Sequence, residues 1–117
     1  MKMKKIYHLG TCSTNSRILK SLNLEGIELQ DIKKEPISVE QVEEMVKITG
    51  SYEALFSRKA MKYRSMGLNK MNLTEKDYKK YIIQEYTFLK RPVAIINKEI
   101  FIGNAKKNIE ALIQKLK

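Results

Sequence analysis

Apolar residues recur along this chain in two periods, and the switches between them mark its elements. Ile6, Tyr7 and Leu9 form a short apolar strand that runs through Gly10 into a loop rich in Ser, Thr and Asn. From about Ser16, the residues Ile18, Leu19 and Leu22 fall at helical spacing, and the segment closes near Gly26, as short helices commonly do. Ile27 to Ile32 alternates apolar with polar, which predicts a second strand. A strand reached through a helix in this way makes a parallel, right-handed crossover.

Lys33 to Ile37 is a polar connection stiffened by Pro36. Ser38 and Gln41 then stand three apart ahead of an apolar-periodic run, the spacing of a capping box. The helix they open keeps Val39, Val42, Met45, Val46 and Ile48 on one side and ends at Gly50. Between Tyr52 and Leu68 the pattern is helical but broken, which predicts two short helices or turns with Gly67 as the stop. Thr74 and Asp77 cap a further helix carrying Tyr78, Tyr81, Ile82 and Tyr86, fraying before Phe88. Arg91-Pro92 leads into Val93 to Ile96, and two polar residues, Asn97 and Lys98, join that run to Ile100 to Ile102. Two apolar runs so joined make an antiparallel hairpin, and Arg91, preceding a proline, is held extended. A last amphipathic helix turns Ile109, Leu112, Ile113 and Leu116 inward. The order of elements predicts an α/β fold: a mixed sheet with helices on its faces.

At 117 residues the chain makes one domain, residues 1–117, with a single core. No apolar run approaches the roughly 20 residues of a membrane span, and no signal-peptide core follows Met1, so a soluble cytoplasmic protein without membrane contact is expected. The net charge of +10, from 23 basic against 13 acidic side chains, draws anions, whether a small oxyanion, nucleic acid or an acidic protein surface. The lysines are dispersed, as on solvated helix faces. The four arginines, Arg17, Arg58, Arg64 and Arg91, are more informative, because a planar fork binds oxyanions in a bidentate way.

Cys12 is the sole cysteine and His8 the sole histidine, too few for a zinc site or an internal disulfide. Any redox chemistry at Cys12 must take its second sulfur from outside. A cysteine between a strand and the first turn of a helix meets unpaired N–H groups and the positive end of the helix dipole, which favour the thiolate. Arg17 pushes the same way. Such a sulfur, with Arg91 and Arg58 within reach, suits attack on a tetrahedral oxyanion. The plainer alternatives are a buried cysteine acting as a small hydrophobe, surface ion pairs for the arginines, and a satisfied structural imidazole for His8. The Cys12-to-Arg17 spacing also leaves open a low-molecular-weight phosphatase loop, although no glycine lies between them.

Five stretches together resemble the arsenate reductase (ArsC/Spx-like) family of glutaredoxin-dependent type. They are Ile6-Tyr-His8 with Cys12, Gly50 to Arg58, Tyr63 to Leu68, Leu89 to Val93, and Ile100 to Gly103. The resemblance implies a thioredoxin-like fold with a four-stranded mixed sheet, a helical insertion at about 38–87 and a cis proline at Pro92. It further implies that Cys12 attacks arsenate while Arg58 and Arg91 hold the oxyanion. Glutathione and glutaredoxin then resolve the adduct, with no bound cofactor and no metal.

Two departures stand out. The family's third arginine, expected near Gly103 to Lys106, is absent, and Asn104, Lys106 and Lys107 occupy that region. Asn15 stands where redox-switch relatives carry a second cysteine, so such a switch cannot operate here. Asn15, Arg17 and Asn104 are therefore minor site candidates. The competing reading is an Spx-like regulator that binds the RNA polymerase alpha subunit, without direct DNA contact, using Gly50 and Arg58. A housekeeping reductase of glutathione mixed disulfides is the third.

Overall fold

The computed structural model describes residues 3–117. It contains β1 (Lys4–His8), α1 (Ser13–Lys20), β2 (Glu28–Asp31), α2 (Val39–Thr49), α3 (Met61–Ser65), α4 (Glu75–Gln84), β3 (Val93–Ile96), β4 (Glu99–Ile102) and α5 (Lys106–Lys115), with three short 3-10 turns between α2 and β3. None of these helices is long and apolar enough to cross a membrane. The chain divides into two compact units, one built from the residues up to Pro36 together with Arg91–Lys117 and the other from Ile37–Lys90.

The first unit holds all four strands, in the order β2-β1-β3-β4. β1 and β2 are parallel with Tyr7 opposite Gln30, as the crossover through α1 requires. β1 and β3 are antiparallel with Tyr7 opposite Val93, and β3 and β4 form the expected hairpin with Val93 opposite Ile102. Asn97 takes a left-handed conformation at the tip (φ 60°), which an asparagine tolerates better than most residues. One face of the sheet contributes Ile6, Ala94 and Ile96 to a core completed by Ile18 and Leu22 of α1 and by Leu112 and Leu116 of α5. β3 is buried along its whole length, which explains why its sequence is a continuous apolar run rather than an alternating one.

α1 begins at Ser13, three residues before the position the apolar spacing predicts. Ser, Thr and Asn ordinarily divert the backbone by bonding to it locally. Here Asn15 instead sends its side chain across to Leu9, so the polar run stays helical.

In the second unit both capping boxes form, Ser38 with Gln41 and Thr74 with Asp77. Gly50 closes α2 in the left-handed conformation. Val42 and Met45 are buried, whereas Val39 and Ile48, assigned to the apolar side by spacing, lie at its margin and are exposed. The unit's core centres on Phe56, whose ring stacks on Phe88 with centroids 5.1 Å apart and meets Tyr78 at 4.9 Å. The Glu75 carboxylate accepts the N–H groups of Tyr52 and Glu53 at 2.7 and 3.2 Å, tying the first 3-10 turn to the start of α4.

The contrast between core and margin is measurable. Leu112→Ala should cost about 3 kcal/mol in urea unfolding, and Val39→Ala no more than about 0.5 kcal/mol. Equal losses would contradict the placement of either residue.

Candidate functional site

The end of β1 builds the site. After His8 the chain bends through Gly10 and Thr11, the Cys12 N–H donates to the Leu9 carbonyl at 3.0 Å, and Cys12 becomes the N-cap of α1 with extended dihedrals (φ −91°, ψ 116°). Its carbonyl accepts the Ser16 N–H at 3.0 Å, the first bond of the helix. The N–H groups of Ser13, Thr14 and Asn15 have no partner inside the helix and lie at the end where its dipole is positive. Cys12 makes no side-chain cap bond and is partly exposed. A free thiol at a helix N-terminus can act as a nucleophile, and an anion beside it finds ready donors.

Two buried or tightly bonded polar groups hold this turn. Asn15 is 1% exposed, and its Oδ1 accepts the Leu9 N–H at 2.9 Å. That bond pins Leu9, the residue that follows β1, to the first turn of the helix. On the other side lies Asp31, the last residue of β2, opposite His8. Burial would push its carboxyl up, but N–H donation from Lys33, Gly10 and Lys34, with the nearby His8, outweighs this and holds the carboxyl below its ordinary value. Gly10 is required by proximity: a methyl group on its Cα would come within 2.3 Å of the Asp31 carboxylate. His8 itself departs from the satisfied imidazole expected of it, since its Nδ1 is buried with no hydrogen-bond partner among the described residues.

Arg91 precedes a cis peptide bond to Pro92. Val93 pairs with Tyr7 in antiparallel register, so continuing the register carries Arg91 alongside Leu9, at the end of the sheet where the Cys12 turn begins. Gly103 donates its N–H to the Pro92 carbonyl at 2.8 Å, and Asn108 Nδ2 donates to the Gly103 carbonyl at 2.8 Å. The sheet thereby gathers Cys12, Arg91, Pro92 and Asn104 at one end. Arg17 and Asn104 also share a groove of about 370 Å3 between α1 and the start of α5, to which Thr14, Lys106 and Glu110 contribute.

Arg58 belongs to the other unit. Its Nη2 donates to Glu53 Oε2 at 2.6 Å and to the Tyr78 hydroxyl at 3.0 Å, and the guanidinium lies 5.8 Å from the centre of the Tyr78 ring. Glu53 raises its affinity for the proton above the ordinary value, against a smaller opposing effect of burial. The ion pair that served as the plainer reading of an arginine is thus present. Sequence reasoning missed Asp31 and Glu110. Asp31 reads only as the end of a strand until the parallel register sets it beside Gly10, and Glu110 is one of many charges on an amphipathic helix.

The profile of the ArsC family matches residues 7–112. No curated protein sequence matches the chain. Among solved structures, a protein of Yersinia pestis superposes with a TM-score of 0.77 at 19% identity, covering 95% of this chain and 98% of its own. The arsenate reductase of Vibrio cholerae gives a TM-score of 0.71 at 21% identity, covering 98% and 99%. An arsenate reductase (ArsC) related protein of Brucella melitensis gives 0.70 at 21% identity, covering 93% and 92%. These likenesses make the fold thioredoxin-like, as the sequence motifs implied.

The turn yields a pH-dependent prediction. Because the folded carboxyl of Asp31 titrates below its unfolded value of 3.8, its contribution is complete at neutral pH and is lost as the pH falls through that value toward the folded one. Asp31→Asn should therefore be less stable than the parent by about 1 kcal/mol at pH 7, with the gap closing below about pH 4. A gap that stays constant from pH 7 to pH 3 would refute this.

Proposed function

This chain belongs to the ArsC family, and from that membership we propose that it is a thiol-dependent oxidoreductase of the arsenate reductase type. The observation that carries the reading is Cys12 as the partly exposed N-cap of α1, at the end of the sheet that also receives Arg91. The Cys12 thiolate attacks the central atom of a tetrahedral oxyanion such as arsenate, and a hydroxide leaves as the sulfur–arsenic bond forms. The first-turn N–H groups and the Arg91 fork receive the charge on the oxygens. Glutathione then attacks the Cys12 sulfur, both electrons of the sulfur–arsenic bond pass to arsenic, and arsenite leaves. The resulting mixed disulfide is returned to the thiol by glutaredoxin. An external second thiol follows from the sequence, since Cys12 is alone, and glutathione chemistry of this kind belongs in the reducing cytoplasm.

For Arg58 the family resemblance supplies the role of second oxyanion clamp. Its bonds to Glu53 and Tyr78 fix the guanidinium orientation within its own unit, which favours a pre-set fork over a mobile one. Where the family carries a third arginine this chain has Asn104 and Lys106. An ammonium does not reproduce bidentate binding, so Lys106 is no substitute for that fork.

A coupled glutathione–glutaredoxin assay with arsenate tests the proposal. Cys12→Ser should abolish turnover, and Arg91→Lys, which keeps the charge and loses the fork, should lower kcat/KM by about 10- to 100-fold. Arg58→Lys should fall in the same range. A parent protein inert toward arsenate that captures the RNA polymerase alpha subunit would overturn the enzymatic reading in favour of a regulator.

A further inference from the structure

From Ala54 to Thr74 the chain carries five cations and no Asp or Glu, which is half of its net charge of +10 in less than a fifth of its length. Within that stretch α3, the left-handed Gly67 and the 3-10 turn Leu68–Lys70 form one continuous element. The Met66 N–H donates to the Lys62 carbonyl at 2.9 Å, the Gly67 N–H to that of Arg64 at 2.9 Å, and the Met71 N–H to that of Leu68 at 3.1 Å. Leu68 is buried, and the Tyr63 ring meets the edge of Phe56 with centroids 5.9 Å apart, but α3 itself buries no residue. Met61, Met66 and Met71 are 89%, 48% and 53% exposed, three of the six large apolar side chains that stand exposed among the described residues. Scattered apolar exposure is ordinary. Three thioethers within eleven residues, on an element that is too short to be stable alone and gains almost nothing from their burial, are a concentration of apolar surface that needs a partner. Around them, Arg58 is held by Glu53 and Lys62 by Glu85. Lys59, Arg64 and Lys70 are exposed and join none of the ion pairs found among the described residues.

From this combination we infer that the element from Lys59 to Met71 is a docking surface for an acidic protein segment whose apolar side chains are flanked by carboxylates. This surface uses neither Cys12 nor Arg58 nor Arg91. Charge alone would draw any polyanion, and the apolar side chains single out the partner. An element that lies on an anionic membrane presents Trp, Phe or Leu to it, whereas here Leu68 is buried and Tyr63 half-buried. Single-stranded nucleic acid stacks on exposed aromatic rings, and this stretch exposes none. The unbranched, polarizable thioether of methionine moulds to varied apolar side chains, which suits protein recognition. Lys59, Arg64 and Lys70 pair with the carboxylates beside those side chains, and the positive field of the chain speeds the encounter. A second copy of this chain is disfavoured as the occupant, since two molecules of charge +10 repel.

Fluorescence anisotropy tests the surface, with the full-length protein titrated into a labelled synthetic helix that carries Leu on one face and Glu on the other. The parent should bind this peptide, and versions with Gln for Glu or with Ala for Leu should bind about tenfold more weakly. Met61→Ser/Met66→Ser/Met71→Ser and, separately, Arg64→Gln/Lys70→Gln should each weaken binding by about tenfold. Lys98→Gln/Lys117→Gln removes the same charge as the second variant from the other unit and should change binding by no more than about twofold. Peroxide footprinting of the parent gives a readout free of any substitution. Hydrogen peroxide passes one oxygen to a thioether and leaves as water, and bound peptide should slow sulfoxide formation at Met61, Met66 and Met71 by about threefold while leaving Met3, in the other unit, unchanged. No binding by the parent, unchanged binding by either patch variant, equal binding of the Gln peptide, or no protection of the three methionines would overturn the docking surface. Loss of binding in the Lys98/Lys117 variant would reduce the effect to net charge and overturn it as well. Binding to phosphatidylglycerol vesicles but not to the peptide would assign the element to lipid, and dimers in sedimentation that the patch variants abolish would assign it to a second copy; either result overturns the acidic segment as its occupant.

Discussion

The Cys12 turn depends on one hydrogen bond, from the Leu9 N–H to Asn15 Oδ1. It ties the residue after β1 to the first turn of α1, and Cys12, immediately before Ser13, is the N-cap. A buried amide is a costly group to leave unpaired, and Asn15, 1% exposed, is paired by a strand end whose own N–H would otherwise have no acceptor.

The same turn is held from its other side by Asp31, whose carboxylate gathers N–H groups from Gly10, Lys33 and Lys34. The parallel pairing of β1 with β2 sets this up, because it brings the C-terminal ends of both strands to the same edge, where ligand sites of α/β sheets form. The antiparallel pairing with β3 brings the start of that strand, with Arg91 and Pro92, to that edge as well. A mixed sheet of this order thus brings a free thiol, a cation and a backbone donor cluster to one end from segments 79 residues apart in sequence.

The helical unit obeys a different logic. Its elements are short, its helices are set by caps, and its core is a group of rings around Phe56. Arg58 projects from that framework with its guanidinium bonded to Glu53 and Tyr78. Such bonding restricts the rotamers of a long side chain.

The elements of this protein were legible in its sequence wherever local chemistry decides structure. Capping boxes, the glycine stops at Gly50 and Gly67, the hairpin at Asn97 and the position of β2 each act over a few residues, and each appears where the spacing predicts; α1 instead closes at Ser21, well ahead of Gly26, and in β2 the apolar Leu29 is exposed while Gln30 is buried. The start of α1 did not follow the spacing either, because whether Ser13 to Asn15 are helical depends on a bond to Leu9 that crosses from helix to strand. Val39 and Ile48 likewise follow the helical period, but burial depends on what packs against that face. Cys12, Arg58, Arg91 and Pro92 could be picked out as residue types in motifs. The sequence by itself determined most of the elements and which side chains are candidates for chemistry, since period, caps and side-chain chemistry are local. Only the tertiary structure decided that Asp31 braces Gly10, that Asn15 braces the turn, and that Arg17, Lys106 and Glu110 share a groove. Those relations come from strand register and helix packing, which bring together residues whose separation along the chain carries no trace of their proximity.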